Sequence, residues 1–196
     1  MKFYRLNLLW IFMFFMICGC FGHSPQIGGD DHDKINAKII AVMPVENKNP
    51  DGNTSRLFRK RLLDELFFKG YPKLSLETID KKMDSLKIDG DNKNATATAP
   101  QKLNDLEGAD AALYCTLTED SKSKILYTPI TISARCELRS AQTGEVLWHA
   151  QSESTERNFD FTKGLEKASH DNLEIVIDEV VSNILKTLPD GPNLRG

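Results

Sequence analysis

Hydrophobic positions recur along this chain with two periods, and each period predicts a different kind of element. Residues 37–45 (AKIIAVMPV) form an apolar run rich in β-branched residues, which predicts a buried central strand. Residues 73–76 are predicted to form a second short strand, giving a strand–helix–strand unit with a parallel pair. Apolar residues at helical spacing predict two helices, at Phe58, Leu62, Leu63, Leu66 and Phe67, and at Leu76, Ile79, Met83 and Leu86.

The second half of the chain is punctuated by turn residues. A short helix is predicted from Pro100 to Gly108, and residues 109–119, 130–139 and 145–154 then alternate as three strands joined by turns. A wide apolar stripe predicts a last helix that ends before Pro189. Its members are Leu173, Val176, Ile177, Val180, Val181, Ile184 and Leu188.

The predicted order βαβα(α)βββα indicates an α/β domain of mixed α+β type. A mixed sheet of about five strands has apolar faces that helices must cover, which leaves two-layer and three-layer arrangements open. We expect a single domain over residues 37–188, with a polar loop at 89–99 and a disordered tail at 189–196.

The amino terminus resembles a bacterial lipoprotein signal. Lys2 and Arg5 precede a ten-residue apolar segment, and the run 17–20 (ICGC) then places small residues before Cys20. Residues 1–19 are therefore predicted to be a removed signal peptide, with Cys20 carrying diacylglycerol and an acyl chain such as palmitate. The alternative is an ordinary secretory signal in which Cys20 is merely small. Residues 20–36 are polar and glycine-rich and predict a flexible tether spanning about 20–24 Å.

The length and charge of the mature chain limit the classes of molecule that it is expected to bind. Removal of residues 1–19 leaves 177 of the 196 residues, enough for one hydrophobic core. It also leaves 23 basic and 28 acidic residues, so the formal net charge is −5 and no basic stripe predicts nucleic-acid binding. We expect an outer-membrane lipoprotein whose domain faces the periplasm, because Phe21 replaces the aspartate of known retention signals; the inner membrane and the cell surface are alternatives.

Two cysteines remain in the mature chain besides Cys20. Cys115 and Cys136 each share a predicted strand face with aliphatic residues, so both thiols are expected to point into the core. Export places them in an oxidising compartment. There, a disulfide between Cys115 and Cys136 would stabilise the fold by about 3 kcal/mol, if their strands pair directly. Two buried free thiols that simply pack are an equal alternative.

The sequence predicts no catalytic residues, metal, cofactor or small-molecule substrate, since no nucleophile, zinc or phosphate-loop motif is present. The cluster at 30–33 (DDHD) is interpreted as solvated charge, and His149 and His170 as ordinary polar residues. A catalytic pair of Cys115 with His149, as in an envelope hydrolase, is a remote alternative. Leu126 and Tyr127 lie in an apolar tip and are candidate partner contacts, unless the tip folds back on the core.

Three segments together resemble a known family: 42–47 (VMPVEN), 108–114 (GADAALY) and 143–148 (TGEVLW). In this order they resemble lipoproteins of the genome-derived neisserial antigen (GNA) type, a domain-of-unknown-function family, over residues 37–155. More distantly, the chain is similar to the curli-secretion, exopolysaccharide-export and penicillin-binding-protein-activator lipoproteins. The resemblance implies an outer-membrane lipoprotein with a mixed α/β domain that assembles with itself or with envelope proteins. Cys115 and Cys136 have no counterpart in the family pattern.

These patterns predict a non-catalytic adaptor or assembly factor of a cell-envelope or export complex. Its predicted partners are the membrane, through the lipid, and envelope proteins or further copies of itself. The alternative is a structural subunit of an oligomeric export apparatus, which the size of the detergent-extracted protein would distinguish from an adaptor.

Overall fold

A computed structural model describes residues 35, 37–47, 52–88, 108–120, 128–158 and 165–194. The mixed α+β class and the five-stranded mixed sheet are confirmed. Among the described residues the order of elements is ββααβββα, which differs from the predicted order in the placement of the second strand. The predicted polar loop at 89–99 and residues 100–107 of the predicted short helix lie outside the described residues. The elements are β1 (Ile40–Val42), β2 (Glu46–Asn47), α1 (Gly52–Phe68), α2 (Leu76–Ile88), β3 (Ala111–Asp120), β4 (Thr128–Ser140), β5 (Val146–Asn158) and α3 (Leu165–Leu185).

The sheet has the order β1–β3–β4–β5, and β2 continues the line of β1 along β3. β1 and β2 run parallel to β3, whereas β3, β4 and β5 form an antiparallel meander. Val42 pairs with Leu113 and Glu46 pairs with Thr116. The chain therefore advances four residues from β1 to β2 while β3 advances three. This extra residue is a bulge, and Pro44 lies inside it, where no ladder hydrogen bond is needed.

The first strand is at the edge of the sheet, so its prediction as a central strand was wrong. Its side chains are nevertheless buried because both of its faces are covered. Ile40 and Val42 point into the main core, while Ala41 and Met43 point into a smaller core on the other face. An edge strand covered on both faces has the same continuous apolar sequence as a central one.

Residues 73–76 form no strand, which corrects the second predicted strand. Ser75 instead caps α2, with its hydroxyl accepting from the amide of Thr78 and its carbonyl accepting from the amide of Ile79. Leu74 packs against the smaller core beside α2. The parallel pair therefore joins β1 to β3, and both α1 and α2 lie between these strands in the described part of the chain.

The main core lies between the sheet and the helices α1 and α3. The predicted stripe of α3 is confirmed, because its central residues are all buried: Val176, Ile177, Val180, Val181 and Ile184. The smaller core lies on the opposite face, where Ile79 and Met83 of α2 cover β1 and the start of β3. The domain thus has three layers at β1 and two at β5. No helix in the described part of the chain is long and apolar enough to cross a membrane.

Arg59 connects the layers from inside the fold. Its side chain is only 10% exposed, and its Nε and Nη2 atoms donate to the carbonyl of Val42 at 3.2 and 2.9 Å. Its Nη1 atom donates to Asp80 of α2 at 2.7 Å. α1 therefore shields the exposed edge of β1, which would otherwise be open to pairing with another strand.

The C-terminal segment differs from the expected disordered tail at 189–196. The amide of Gly191 donates to the carbonyl of Lys69 at 2.6 Å, and the hydroxyl of Tyr71 donates to the carbonyl of Pro189 at 2.9 Å. Gly70 has a φ of 89°, the left-handed conformation that ends α1 and admits this close approach. Residues up to Leu194 are therefore part of the folded domain.

Candidate functional site

The sheet has an inner face, which packs on the main core, and an outer face, which α2 covers in part among the described elements. Strand alternation assigns the residues, since Cys136 and Leu138 point inward and their neighbours point outward. We define the outer face by Tyr114, Thr116, Arg135, Glu137, Arg139, His149 and Gln151. β4 supplies its centre, and β3 and β5 supply its flanks.

Three charged residues alternate along β4 at this face. Glu137 accepts from Nη2 of Arg139 at 2.7 Å and from Nη2 of Arg135 at 3.2 Å. The hydrogen bond from Arg139 is the main cause that lowers the pKa of the Glu137 carboxyl, with Arg135 adding to it. Glu137 therefore remains a carboxylate, and the strand presents a fixed positive–negative–positive row.

Tyr114 lies beside this row on β3, where its Cα pairs with that of Glu137. The guanidinium carbon of Arg139 is 5.7 Å from the centre of the Tyr114 ring, within the range of a cation–π contact. Burial raises the pKa of the Tyr114 phenol, and the nearby charge of Arg139 opposes that shift only in part. The phenol stays protonated and can donate a hydrogen bond. His149 pairs with Glu137 from the other side, on β5.

An open groove runs along the border between α2 and the outer face. It is lined by Met43, Pro44, Glu46, Met83, Tyr114, Cys115 and Thr116. Next to it, the Nε atom of Arg139 is buried and has no hydrogen-bond partner within the described residues. The groove thus offers apolar methionine surface beside an aromatic ring and an N–H group that lacks an acceptor.

Glu137 is held by two arginines and Tyr114 retains its proton, so neither group is prepared for acid–base catalysis. Within the described ranges, no three His, Cys, Asp or Glu residues are grouped as a metal site. Cys115 points into the main core while His149 lies on the outer face, so the two cannot form the catalytic pair of the remote alternative.

Cys115 and Cys136 lie directly opposite each other on β3 and β4. Both are buried in the main core, as expected, and their Cα atoms are 4.2 Å apart. That separation is typical of a pair that makes no ladder hydrogen bonds, where side chains approach most closely. The sulfur atoms are joined as a disulfide in the structure, and its presence in the mature protein stays a prediction.

The other predicted site residues, Cys20, Leu126 and Tyr127, lie outside the described residues. The strand next to the predicted tip begins earlier than expected, at Thr128, and includes Pro129. Pro129 pairs with Arg157 of β5.

Sequence reasoning missed the outer face. The available signal was the charge at every second position from 135 to 139, beside a tyrosine in the neighbouring strand. Such a row is usually a solvated strand face. Its significance depends on the strand register and on where α2 ends its cover, and neither is visible in one sequence.

Comparison with known proteins gives a consistent picture. A family model described as "Putative lipoprotein GNA1162-like" matches residues 31–193. The "Putative lipoprotein NMB1124/NMB1162" of Neisseria meningitidis serogroup B is 29% identical over 154 residues, which cover 77% of this chain and 67% of that protein. The crystal structure of lipoprotein GNA1162 from Neisseria meningitidis is 25% identical, with a TM-score of 0.53, covering 71% of this chain and 97% of that one.

A more distant solved structure shares the fold alone. The PelC dodecamer from Paraburkholderia phytofirmans is 13% identical with a TM-score of 0.50, and the match covers 79% of this chain and 88% of that one.

Proposed function

Because this chain belongs to the GNA1162-like lipoprotein family, we propose that its mature form is a lipid-anchored, non-catalytic adaptor that binds an envelope protein through the outer face of its sheet. Acylation of Cys20 would hold the domain at the outer membrane on its periplasmic side. The observation that carries the proposal is the fixed charged row of β4 beside the open groove at α2.

The outer face has the composition of a protein-binding surface. Tyrosine, arginine and methionine are enriched at such interfaces, and Tyr114, Arg139 and Met83 lie together here. The ion pairs with Glu137 hold the arginines in one geometry, which reduces the side-chain entropy lost on binding. The Arg135 side chain, which is 62% exposed, can donate to a carboxylate of the partner. The partner surface would therefore be acidic around an apolar side chain that enters the groove.

Residue-specific photocrosslinking in intact cells tests this surface. A photoreactive amino acid at Gln151, on the outer face, should give a defined crosslinked species, whereas the same residue at Asn183, exposed on α3, should not. The charge reversal Arg135→Glu should weaken the Gln151 crosslink because it opposes an acidic partner. Equal crosslinks from both positions, or one that Arg135→Glu leaves unchanged, would contradict binding at the outer face.

A second candidate is a structural subunit of an oligomeric export apparatus. β5 is thirteen residues long and ends the sheet order, so its outer edge can pair with a strand of another copy. The PelC dodecamer, which shares this fold, supports the second candidate. Size distribution after detergent extraction separates the two: a large uniform oligomer favours the subunit, and a monomer or small mixed complex favours the adaptor.

A further inference from the structure

One end of the domain combines the chain's entry point with exposed apolar side chains. We define the entry pole as the end of the sheet where β1 and β3 begin and where the chain arrives from residue 35. The direction of α1 places its last residues at this pole. Thr54, near the start of α1, donates to Glu119 near the far end of β3 at 3.0 Å, and Arg59 reaches the carbonyl of Val42.

The lengths of α1 beyond Arg59 and of the chain before Val42 also place the end of α1 at the entry pole. From Arg59 to Phe68 the helix advances nine residues, roughly 14 Å at its rise per residue. From Val42 back to Lys38 the strand direction covers four residues, about 13 Å. The end of α1 is therefore level with Lys38, two residues before β1 begins.

Four of the five exposed large apolar side chains in the described part of the chain lie at the entry pole. Phe67 is 51% exposed and Phe68 is 70% exposed at the end of α1, and Leu194 is 56% exposed where the tail crosses Gly70. Val146, 46% exposed, begins β5 at the same end, because it follows the turn opposite Arg139.

The fifth such side chain, Ile175, lies away from the pole. The α3 helix runs antiparallel to β5, since Trp148 donates to Thr187 and Ser154 donates to Glu179. Ile175 precedes Thr187 by twelve residues, roughly 18 Å along the helix. Its exposure of 56% equals that of Leu194, so it provides a matched comparison.

The apolar residues of the pole are held by the fold. The rings of Phe67 and Phe68 pack edge to face with centroids 6.1 Å apart, and Nζ of Lys73 lies 4.9 Å from the centre of the Phe67 ring. A Cβ atom at Gly70 would lie 2.7 Å from the side chain of Leu194, so the tail is seated closely on the end of α1.

The charges next to these rings are paired. Lys69 contacts Asp190 at 3.1 Å, and Lys73 contacts Asp64 at 2.6 Å. The two lysines beside the rings therefore add no net charge to this apolar surface. Such a surface suits the interfacial region of a bilayer irrespective of lipid charge, rather than anionic head groups.

The length of chain between Cys20 and residue 35 indicates that the bilayer is the apolar surface nearest to the entry pole. Residues 20–34 are fifteen residues, and a flexible segment of that length has an end-to-end distance of about 20 Å. Acylated Cys20 would keep the entry pole within this distance of the bilayer, so that even weak apolar contacts become effectively intramolecular.

We propose that the entry pole rests on the bilayer, with Phe67, Phe68 and Leu194 in the lipid interface as a second membrane contact beside the acyl chains. The inference rests on the proposed lipid anchor at Cys20. The axes of strands β3 to β5 then stand upright on the membrane, and the outer face is presented sideways to a partner in the periplasm.

The test uses the full-length lipidated protein in phosphatidylcholine vesicles that contain chain-brominated lipid. Phe68→Trp should lose about half of its added emission, because an indole there would sit roughly 5–10 Å into the interface. Ile175→Trp, equally exposed in solution, should lose none beyond the parent, whose Trp148 is 6% exposed. Both positions are on the surface, so unchanged melting curves are expected.

Equal quenching at both positions, or none in Phe68→Trp, overturns the proposal. A concentration-dependent change of the Phe68→Trp emission in detergent, without quenching in vesicles, also overturns it, because it assigns the pole to a second copy of the chain. Retention of Cys20→Ala on the vesicles is measured separately. Retention equal to that of the parent refutes the lipid anchor at Cys20. If Phe68→Trp is retained on the vesicles but its emission is not quenched, only the membrane contact of the entry pole is refuted.

Discussion

Replacing Arg59 by alanine should destabilise the domain by about 2–4 kcal/mol. The carbonyl of Val42 loses two donors inside the fold, which costs about 1–3 kcal/mol. Loss of the buried apolar stem adds about 1 kcal/mol. The ion pair with Asp80 adds less than about 1 kcal/mol, because the Asp80 side chain is 47% exposed.

Arg61 provides the matched control on the same helix. It pairs with Asp178 at 2.9 Å, but its side chain is 39% exposed, so Arg61→Ala should cost less than about 1 kcal/mol. Arg59→Lys should fall between the two, because an ammonium group cannot reproduce the planar fork of a guanidinium.

Urea unfolding of the mature protein measures these differences. It can be followed by Trp148, the tryptophan that remains once residues 1–19, with Trp10, are removed. Equal free energies of unfolding for Arg59→Ala and Arg61→Ala would refute the reasoning, since the edge of β1 would then not depend on the buried guanidinium.

Three further predictions concern the disulfide, the outer face and the tail. Intact mass should rise by about 2 Da on reduction, and loss of the Cys115–Cys136 bond should cost about 3 kcal/mol in unfolding experiments; an unchanged mass means free thiols. The pKa of Glu137 is lower in the folded protein than in the unfolded chain, so its stabilising contribution is present at neutral pH and is lost as the pH falls through the folded pKa. Melting temperatures should therefore fall less on acidification in Glu137→Gln than in the parent, and parallel curves would contradict this. Gly191→Ala should release the C-terminal segment, since its Cβ would lie 2.5 Å from backbone atoms of Gly70, and hydrogen exchange at the Tyr71 amide should rise; unchanged exchange would count against the tail contact.

Elements with a local apolar period were predictable from the sequence. The stripe of α3 is continuous over three turns, and all of its central positions are buried against one side of the sheet. The strands β3, β4 and β5 alternate because only their inner face meets the main core. The opposed cysteines followed from the same alternation once direct pairing was considered.

Features that depend on tertiary contacts could not be read in this way. Residues 37–45 look like a central strand because α2 covers the second face of an edge strand, and α2 is more than thirty residues further on. The segment at 73–76 looks extended, yet Ser75 uses it to cap a helix. The C-terminal residues are polar and contain proline and glycine, and contacts with residues 69–71, distant in sequence, hold them on the domain.

The outer face and the entry pole together give the domain an orientation. If the pole contacts lipid, the charged row of β4 stands at a fixed height above the membrane, which restricts the partners that can reach it. Phe67 satisfies the helical pattern of α1, yet it extends past the last buried turn and is exposed, as is Phe68, which lies outside that pattern.

Attachment of the chain to a membrane through Cys20 is the central claim, and fractionation of cells that express Cys20→Ala tests it most directly. The parent protein should sediment with envelopes, whereas Cys20→Ala should move to the soluble fraction with its folded domain intact. Envelope retention of Cys20→Ala at the level of the parent would contradict it.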